Sequence, residues 1–230
     1  MINNTEEEKG QYKVEFLDEK ISKDYLTYKV IILGICGVGK TTIIGKLTNK
    51  PDQEYSPTIS LDVQNIKIKV NDTIMQIQFW DPCGNDEFAQ NLPNLFKNTS
   101  LAILVYAINN EKSFENLNIW MNLVKDNSSI DNIFFLIGNK SDLKNERKVS
   151  KEEVDQYIND YRSDIKLHFE TSAKNGENID KLFENISISL YKKLKIQEKK
   201  IQDSLTGRIS LQKEDFTKNN KNRKHNNCCS

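Results

Sequence analysis

The chain of 230 residues lacks the features that mark several large classes of protein. No apolar run approaches the ~18 residues that a membrane-spanning helix needs, and the N-terminus shows no signal-peptide pattern. Residue 2 is Ile rather than Gly, which argues against N-myristoylation. The 33 Lys and Arg residues balance the 33 Asp and Glu residues. A balanced chain has no global field that attracts nucleic acid, so we expect no nucleic-acid partner.

Cysteine and histidine are also scarce. The four cysteines are Cys36, Cys83, Cys228 and Cys229. Their spacing fits neither a zinc ligand set nor the disulfide framework of a small secreted domain. We therefore expect a reduced protein that faces the cytosol. His168 and His225 are the only histidines, and the sequence offers no Ser-His-Asp or metal-cluster chemistry.

Three short apolar runs predict a buried parallel sheet. The runs YKVIIL, LAILVYA and IFFLIG occupy residues 28–33, 101–107 and 133–138, and near-continuous apolar strands indicate burial on both faces. Between the first two runs, two alternating stretches meet at Asn71 and Asp72, which predicts a hairpin at the sheet edge. Amphipathic stretches of helical period separate the strands. The predicted fold is an α/β three-layer sandwich, with a mostly parallel six-stranded sheet and one antiparallel edge strand.

Composition divides the chain into three parts. Residues 1–27 are polar and predict a flexible N-terminal extension, whereas residues 28–198 carry the strand and helix patterns of the folded domain. From residue 199 the pattern dissolves, so residues 199–230 predict a disordered tail. Within the domain, Ser150 and Glu153 have the spacing of a capping box at a helix start.

A phosphate-binding loop follows the first apolar run. The stretch GICGVGKT, residues 34–41, fits the pattern G-x-x-x-x-G-K-T between a predicted strand and a predicted helix. Its glycines let backbone N–H groups surround phosphate oxygens at a helix N-terminus. Lys40 would neutralise β- and γ-phosphate oxygens, and the Thr41 hydroxyl would bind Mg²⁺.

Two further motifs follow predicted strands and indicate guanine. In NKSD, residues 139–142, the Asp142 carboxylate can accept two hydrogen bonds from N1–H and the exocyclic amine of guanine, which adenine cannot offer. In ETSAK, residues 170–174, the backbone N–H of Ala173 could reach guanine O6. Each string is weak alone, but all three motifs lie where open α/β sheets bind ligands.

Together these motifs resemble those of the Ras superfamily of small GTPases, and most closely its Rab branch, over residues 28–190. The resemblance implies a P-loop NTPase fold of the small G-protein type. It also implies that Thr58 reaches Mg²⁺ and the γ-phosphate, that Asp81 holds Mg²⁺ through water, and that the N–H of Gly84 senses the γ-phosphate. The predicted nucleotide contacts are Gly34, Gly37, Val38, Gly39, Lys40, Thr41, Thr42, Tyr55, Thr58, Gly84, Asn139, Lys140, Asp142, Ser172, Ala173 and Lys174.

Exclusions of other branches and the C-terminus both support the Rab branch. The chain ends Cys228-Cys229-Ser230, similar to the paired cysteines that Rab proteins geranylgeranylate, whereas a Ras-type protein would end in C-a-a-X. The spacing from Asn139 to Glu170 leaves no room for a Rho-type insert helix. Residues 199–230 carry eight Lys and Arg against three Asp and Glu, and each basic group near an anionic leaflet contributes ~1 kcal/mol. Incidental cysteines in a Lys- and Asn-rich tail are the alternative.

The stretch WDPCGNDEF departs from the usual Rab sequence WDTAGQERF. Asn85 stands where the resemblance places the glutamine that orients the attacking water. Asn is one methylene shorter, and a misplacement of about 1 Å can cost on the order of 10²-fold in rate. Lys40, Thr58 and Asn85 are the predicted catalytic residues, and Thr41, Thr58 and Asp81 the predicted metal-binding ones.

The resemblance implies a GTP- and GDP-binding switch that uses Mg²⁺ and regulates vesicle trafficking. Its expected partners are an exchange factor, a TBC-like activating protein, effectors at the switches and the cytoplasmic face of an intracellular membrane. A GTP-loaded scaffold with little hydrolysis is the alternative. A P-loop kinase or ATPase is less favoured because NKSD and SAK indicate guanine.

Overall fold

Seven strands form one mixed sheet within the residues that the computed structural model describes, which are 12–17, 25–48, 61–83, 93–128 and 132–225. The strands are β1 (Val14–Leu17), β2 (Leu26–Leu33), β3 (Leu61–Val70), β4 (Thr73–Pro82), β5 (Thr99–Ala107), β6 (Ile133–Asn139) and β7 (Ile165–Glu170). Their order across the sheet is β1-β3-β4-β2-β5-β6-β7. Strand β2 pairs in parallel with β4 and β5, and β6 with β5 and β7. The predicted mostly parallel α/β fold is confirmed.

The helices alternate with these strands. They are α1 (Lys40–Leu47), α2 (Glu111–Glu115), α3 (Leu117–Asn127), α4 (Lys151–Asp160) and α5 (Ile179–His225), with short 3₁₀ helices at Pro93–Phe96 and Ser141–Glu146. The predicted capping box is confirmed: the Glu153 N–H donates to Ser150 Oγ (3.2 Å), and the Ser150 N–H donates to Glu153 Oε2 (2.8 Å). These two bonds satisfy N–H groups that the start of α4 would otherwise leave unpaired.

Helix α5 extends well past the predicted boundary of the folded domain. One compact unit ends at Leu190, and a second begins at Tyr191. The backbone of α5 is helical to His225, across most of the stretch 199–230 that was predicted as a disordered tail. None of the described helices combines the length and apolarity needed to cross a membrane.

The core follows from the apolar runs of the central strands. All nine residues of β5 are buried, as a strand covered on both faces requires. On one face, Ile31 and Leu33 of β2 belong to the same buried cluster as Trp120 and Met121 of α3. Because alternate residues of a strand face opposite sides, the fully buried Val30 lies on the other face.

The predicted six-stranded sheet is wrong by one strand. The additional strand, β1, comes from residues 1–27, which were predicted to be a flexible extension, and it pairs antiparallel with β3 from Val14↔Val70 to Leu17↔Lys67. The antiparallel strand β3 is therefore second from the edge rather than at it. The predicted hairpin around Asn71 is confirmed, and it also receives β1, since the Asn71 N–H donates to the Lys13 carbonyl (2.8 Å).

An aromatic stack also holds β1 to the rest of the domain. The ring of Phe16 lies parallel to that of Phe183 on α5, with 4.4 Å between centroids and 6° between planes. Aromatic pairs of this kind contribute ~0.5–1.5 kcal/mol beyond the apolar area that they bury. The stack therefore adds a side-chain contact to the backbone pairing of this edge strand.

Replacing Phe16 by Ala should lower the free energy of unfolding by about 1–2 kcal/mol, because the half-exposed ring loses its stack on Phe183. Urea unfolding of the full chain measures this change. A matched control is Leu26→Ala, which removes a side chain that is 55% exposed and should stay within about 0.5 kcal/mol of the parent.

A double-mutant cycle isolates the stack. Combining Phe16→Ala with Phe183→Ala should show a coupling of ~0.5–1.5 kcal/mol between the two positions. Additive effects would mean that the two rings do not stabilise β1 through their contact.

Candidate functional site

The loop between β2 and α1 adopts a backbone that needs glycine. Gly34, Gly37 and Gly39 have φ angles of 145°, 81° and 97°, in a region that L side chains rarely adopt. A Cβ atom on Gly34 would overlap the Val105 carbonyl oxygen, and one on Gly39 would overlap the Asn139 amide. The loop, whose backbone was predicted to bind phosphate oxygens, therefore lies directly against Val105 of β5 and Asn139 of β6.

Lys40 begins α1 and folds back over this loop. Its side chain is buried, and Nζ donates to the carbonyl oxygens of Gly34 (2.8 Å) and Ile35 (3.3 Å). These bonds place a positive charge at a helix N-terminus, where backbone N–H groups also favour anions. The position suits the predicted role of Lys40 towards phosphate.

Thr41 and Asp81 form the second polar contact at this end of the sheet. The Thr41 hydroxyl donates to Asp81 Oδ2 over 2.5 Å, and Asp81 is only 1% exposed. A hydroxyl and a carboxylate are hard oxygen donors of the kind that Mg²⁺ prefers. The donor set brought together by α1 and the end of β4 therefore fits the predicted metal.

Asn139, at the end of β6, joins the phosphate-binding loop to the ETSAK segment. Its Nδ2 donates to the Val38 carbonyl (2.7 Å), while Oδ1 accepts from the Thr171 hydroxyl (3.2 Å) and the Ala173 N–H (3.1 Å). The side chain is 2% exposed. The sequence predicted Asn139 as a nucleotide contact but gave no sign that it connects the two loops.

Asp142 is exposed and held in place by Ser172. The Ser172 hydroxyl donates to Asp142 Oδ1 over 2.6 Å. The adjacent Ser141 hydroxyl donates to Glu177 Oε2 over 2.5 Å. These two bonds fix the NKSD loop against the residues that follow β7. The Ala173 N–H, predicted as a donor to guanine O6, donates here to Asn139, so a bound guanine would share that donor.

A polar cluster of Arg147, Glu170, Tyr106 and His168 was not predicted from the sequence. Arg147 pairs with Glu170 over 2.7 Å, with both side chains about one-fifth exposed, and this pair connects the segment after NKSD to the start of ETSAK. The Tyr106 hydroxyl lies 3.3 Å from His168 Nε2. Burial raises the pKa of Tyr106 and lowers the pKa of His168, so both groups are neutral at pH 7. A Cβ atom on Gly138 would lie 2.6 Å from the Tyr106 hydroxyl, which explains the glycine beside Asn139.

The remaining predicted residues divide into those that the structure describes and those that lie outside the described residues. Val38 is buried, Lys140 has a left-handed backbone with φ 67°, and Thr42 and Lys174 are exposed. The described residues contain no group of three or more His, Cys, Asp and Glu that could hold a metal ion. Six predicted residues lie outside the described residues: Tyr55, Thr58, Gly84, Asn85, Cys228 and Cys229.

The fold and the glycine-rich loop define a P-loop nucleotide-binding protein. Comparison with known families gives the family: the sequence model described as Ras family matches residues 29–192. The match covers most of the chain and runs from β2 into α5. The chain therefore belongs to the Ras family, whose members are GTP-binding switches. In general these proteins bind GTP or GDP with Mg²⁺ and interact with regulators and effectors.

Replacing Asn139 by Ala should weaken guanine-nucleotide affinity at least ~100-fold, because the change removes the link between the loops and leaves buried partners unsatisfied. Fluorescent GDP titration measures the affinity. The control is Asn65→Ala on β3, an exposed asparagine whose Oδ1 accepts a hydrogen bond from Gln76 Nε2 over 3.4 Å. Equal affinities for the two variants would contradict the joining role of Asn139.

Proposed function

We propose that this chain is a GTP-binding and GTP-hydrolysing molecular switch of the Rab type, which regulates vesicle and membrane trafficking. The observation that carries the proposal is the bonding of Asn139 to both the Val38 carbonyl and the Ala173 N–H. This amide ties a phosphate-binding loop to a base-binding segment, so one ligand with phosphate and a guanine base would contact both at once.

Base recognition would fall to the exposed carboxylate of Asp142. Its Oδ1 already accepts from the Ser172 hydroxyl, which fixes the carboxylate that would accept two hydrogen bonds from guanine. Adenine presents an acceptor at the corresponding edge, and a site built to pair with donors rejects such a ligand by several powers of ten. The family match supports the guanine assignment independently of this geometry.

Phosphate chemistry would rest on Lys40, Thr41 and Asp81. Bound Mg²⁺ supplies charge neutralisation at the β- and γ-phosphate oxygens. The Thr41 hydroxyl and the Asp81 carboxylate, which already face each other, would hold it, and the buried Lys40 ammonium would orient the same oxygens. Thr58 and Gly84 would sense the γ-phosphate, so that GTP orders both switches and hydrolysis releases them.

Membrane attachment would come from the C-terminus. We place geranylgeranyl groups on Cys228 and Cys229, since two lipid chains give stable residence where one is marginal. The eight basic residues of the stretch 199–230 would add attraction to an anionic leaflet. The protein would then cycle between the cytosol and the cytoplasmic face of an intracellular membrane. Its partners would be an exchange factor, a TBC-like activating protein and effectors at the switches.

The second candidate is a GTP-loaded scaffold that hydrolyses little, and Asn85 is the residue that favours it. The amide of Asn is one methylene shorter than that of the glutamine expected there, which weakens water positioning. An activating protein that supplies a glutamine in trans would compensate for this loss. The two candidates share fold, ligand and membrane, and they differ in turnover.

Single-turnover GTP hydrolysis by the full chain with Mg²⁺ separates the two candidates. We expect slow hydrolysis by the parent and a rate at least ~10-fold higher for Asn85→Gln, because Gln restores the reach of the amide. The control is Asn65→Gln, which makes the same change at an exposed position of β3 and should leave the rate unaltered. Hydrolysis that stays undetectable in both the parent and Asn85→Gln would favour the scaffold and contradict the switch.

A further inference from the structure

Lys29 is a buried lysine of β2 to which the predicted nucleotide site assigns no role. Its side chain is 9% exposed, and Nζ donates to the carbonyl oxygens of Leu95 (2.5 Å) and Lys97 (3.2 Å). The same ammonium lies 3.7 Å from the centroid of the Trp80 ring. An ammonium group has three N–H donors, so two carbonyls and one aromatic face account for all of them.

The strand pairing explains why these groups meet. Ile31 of β2 lies opposite Trp80 of β4 in the parallel register, which places Trp80 diagonal to Lys29 on the same face of the sheet. The pairing of β2 with β5 is irregular between Lys29 and Val30, and such bulges re-aim side chains. The long lysine side chain therefore crosses from β2 towards the end of β4.

Keeping a charge at this position is costly. Burial lowers the pKa of the Lys29 ammonium to about 8. An apolar side chain of similar length would avoid that cost and would pack against the buried hydrophobic cluster that includes Leu95 and Phe96. The contacts of the ammonium therefore contribute something that apolar packing alone would not provide.

The contacts of the Lys29 ammonium fix the end of β4, which carries Asp81. Trp80 directly precedes Asp81, and successive residues of a strand face opposite sides of the sheet. The ammonium holds the indole on one face, while on the other face Asp81 accepts from Thr41 over 2.5 Å. The carbonyls of Leu95 and Lys97 anchor the ammonium to the turn before β5, where the Thr99 hydroxyl also donates to Phe96 (2.8 Å).

We propose that Lys29 is a positioning residue for the Thr41–Asp81 pair, and that it acts through Trp80 to keep the end of β4 where Asp81 faces Thr41. In this role Lys29 would act without contacting the ligand itself. The role of the pair towards Mg²⁺ rests on the proposed function, whereas the contacts among Lys29, Trp80 and the turn do not.

The test compares release of fluorescent GDP by the full chain in Mg²⁺ and in EDTA, at pH 7, for the parent and Lys29→Met. Loss of a residue that orients a metal ligand typically costs about 10–100-fold in metal affinity. We therefore expect release in limiting Mg²⁺ to be at least ~10-fold faster for Lys29→Met. Release in EDTA should stay unchanged, because the phosphate loop and base segment are not altered.

Two further variants make the test specific. Lys67→Met removes another lysine from above an aromatic ring, with Nζ of Lys67 on β3 lying 4.9 Å from the Tyr25 centroid, and should leave Mg²⁺ dependence unaltered. Lys29→Arg keeps a cation able to stack on Trp80 and should restore Mg²⁺ dependence in part. The Arg comparison also remains available if Lys29→Met does not fold.

Separate outcomes contradict the two proposals. If Lys29→Met and Lys29→Arg show the Mg²⁺ dependence of the parent, the positioning role of Lys29 is wrong. The same conclusion follows if release accelerates equally in Mg²⁺ and in EDTA, since that pattern indicates general loosening. If the parent itself fails to retain GDP in Mg²⁺, the proposed function is wrong. The role of Lys29 in Mg²⁺ binding by the Thr41–Asp81 pair is then wrong with it.

Discussion

The three hydrogen bonds of the buried Asn139 side chain are the constraint on which the arrangement of the phosphate loop and the ETSAK segment depends. One amide binds the Val38 carbonyl of the phosphate loop and, from its other end, Thr171 and Ala173 of the segment after β7. An unsatisfied buried amide costs about 1–3 kcal/mol for each lost partner. The two loops therefore have one preferred arrangement, in which the phosphate and base ends of the proposed nucleotide site are already in register.

The Thr41–Asp81 pair, proposed to bind Mg²⁺, is positioned by other contacts. Asp81 and Thr41 come from the end of β4 and the start of α1, and no Asn139 bond reaches them. Their strand end is held from the opposite face by a lysine that contacts an indole and two carbonyls. In the proposed function, guanine recognition would therefore be separable from metal binding.

The sequence predicted local features well and long-range contacts poorly. Apolar runs identified three of the strands that pair in parallel, and the glycine pattern identified a loop whose φ angles require glycine. Strand β1 has only four residues, too few for an alternation to be recognised, and its pairing partners on β3 lie 50 to 56 residues away. The bond from Asn139 to Val38 spans 101 residues. Lys29 is concealed within an apolar run, where only the folded register shows that Trp80 lies beside it.

The central claim is that Asn139 and Asp142 build a guanine-specific site joined to a phosphate loop, and nucleotide binding by the full chain with Mg²⁺ tests it most directly. Calorimetric titration with GDP and with ADP under the same conditions should give an affinity for GDP at least ~10³-fold higher, because Asp142 can pair with guanine and not with adenine. Similar affinities for GDP and ADP, or no binding of either, would contradict the account.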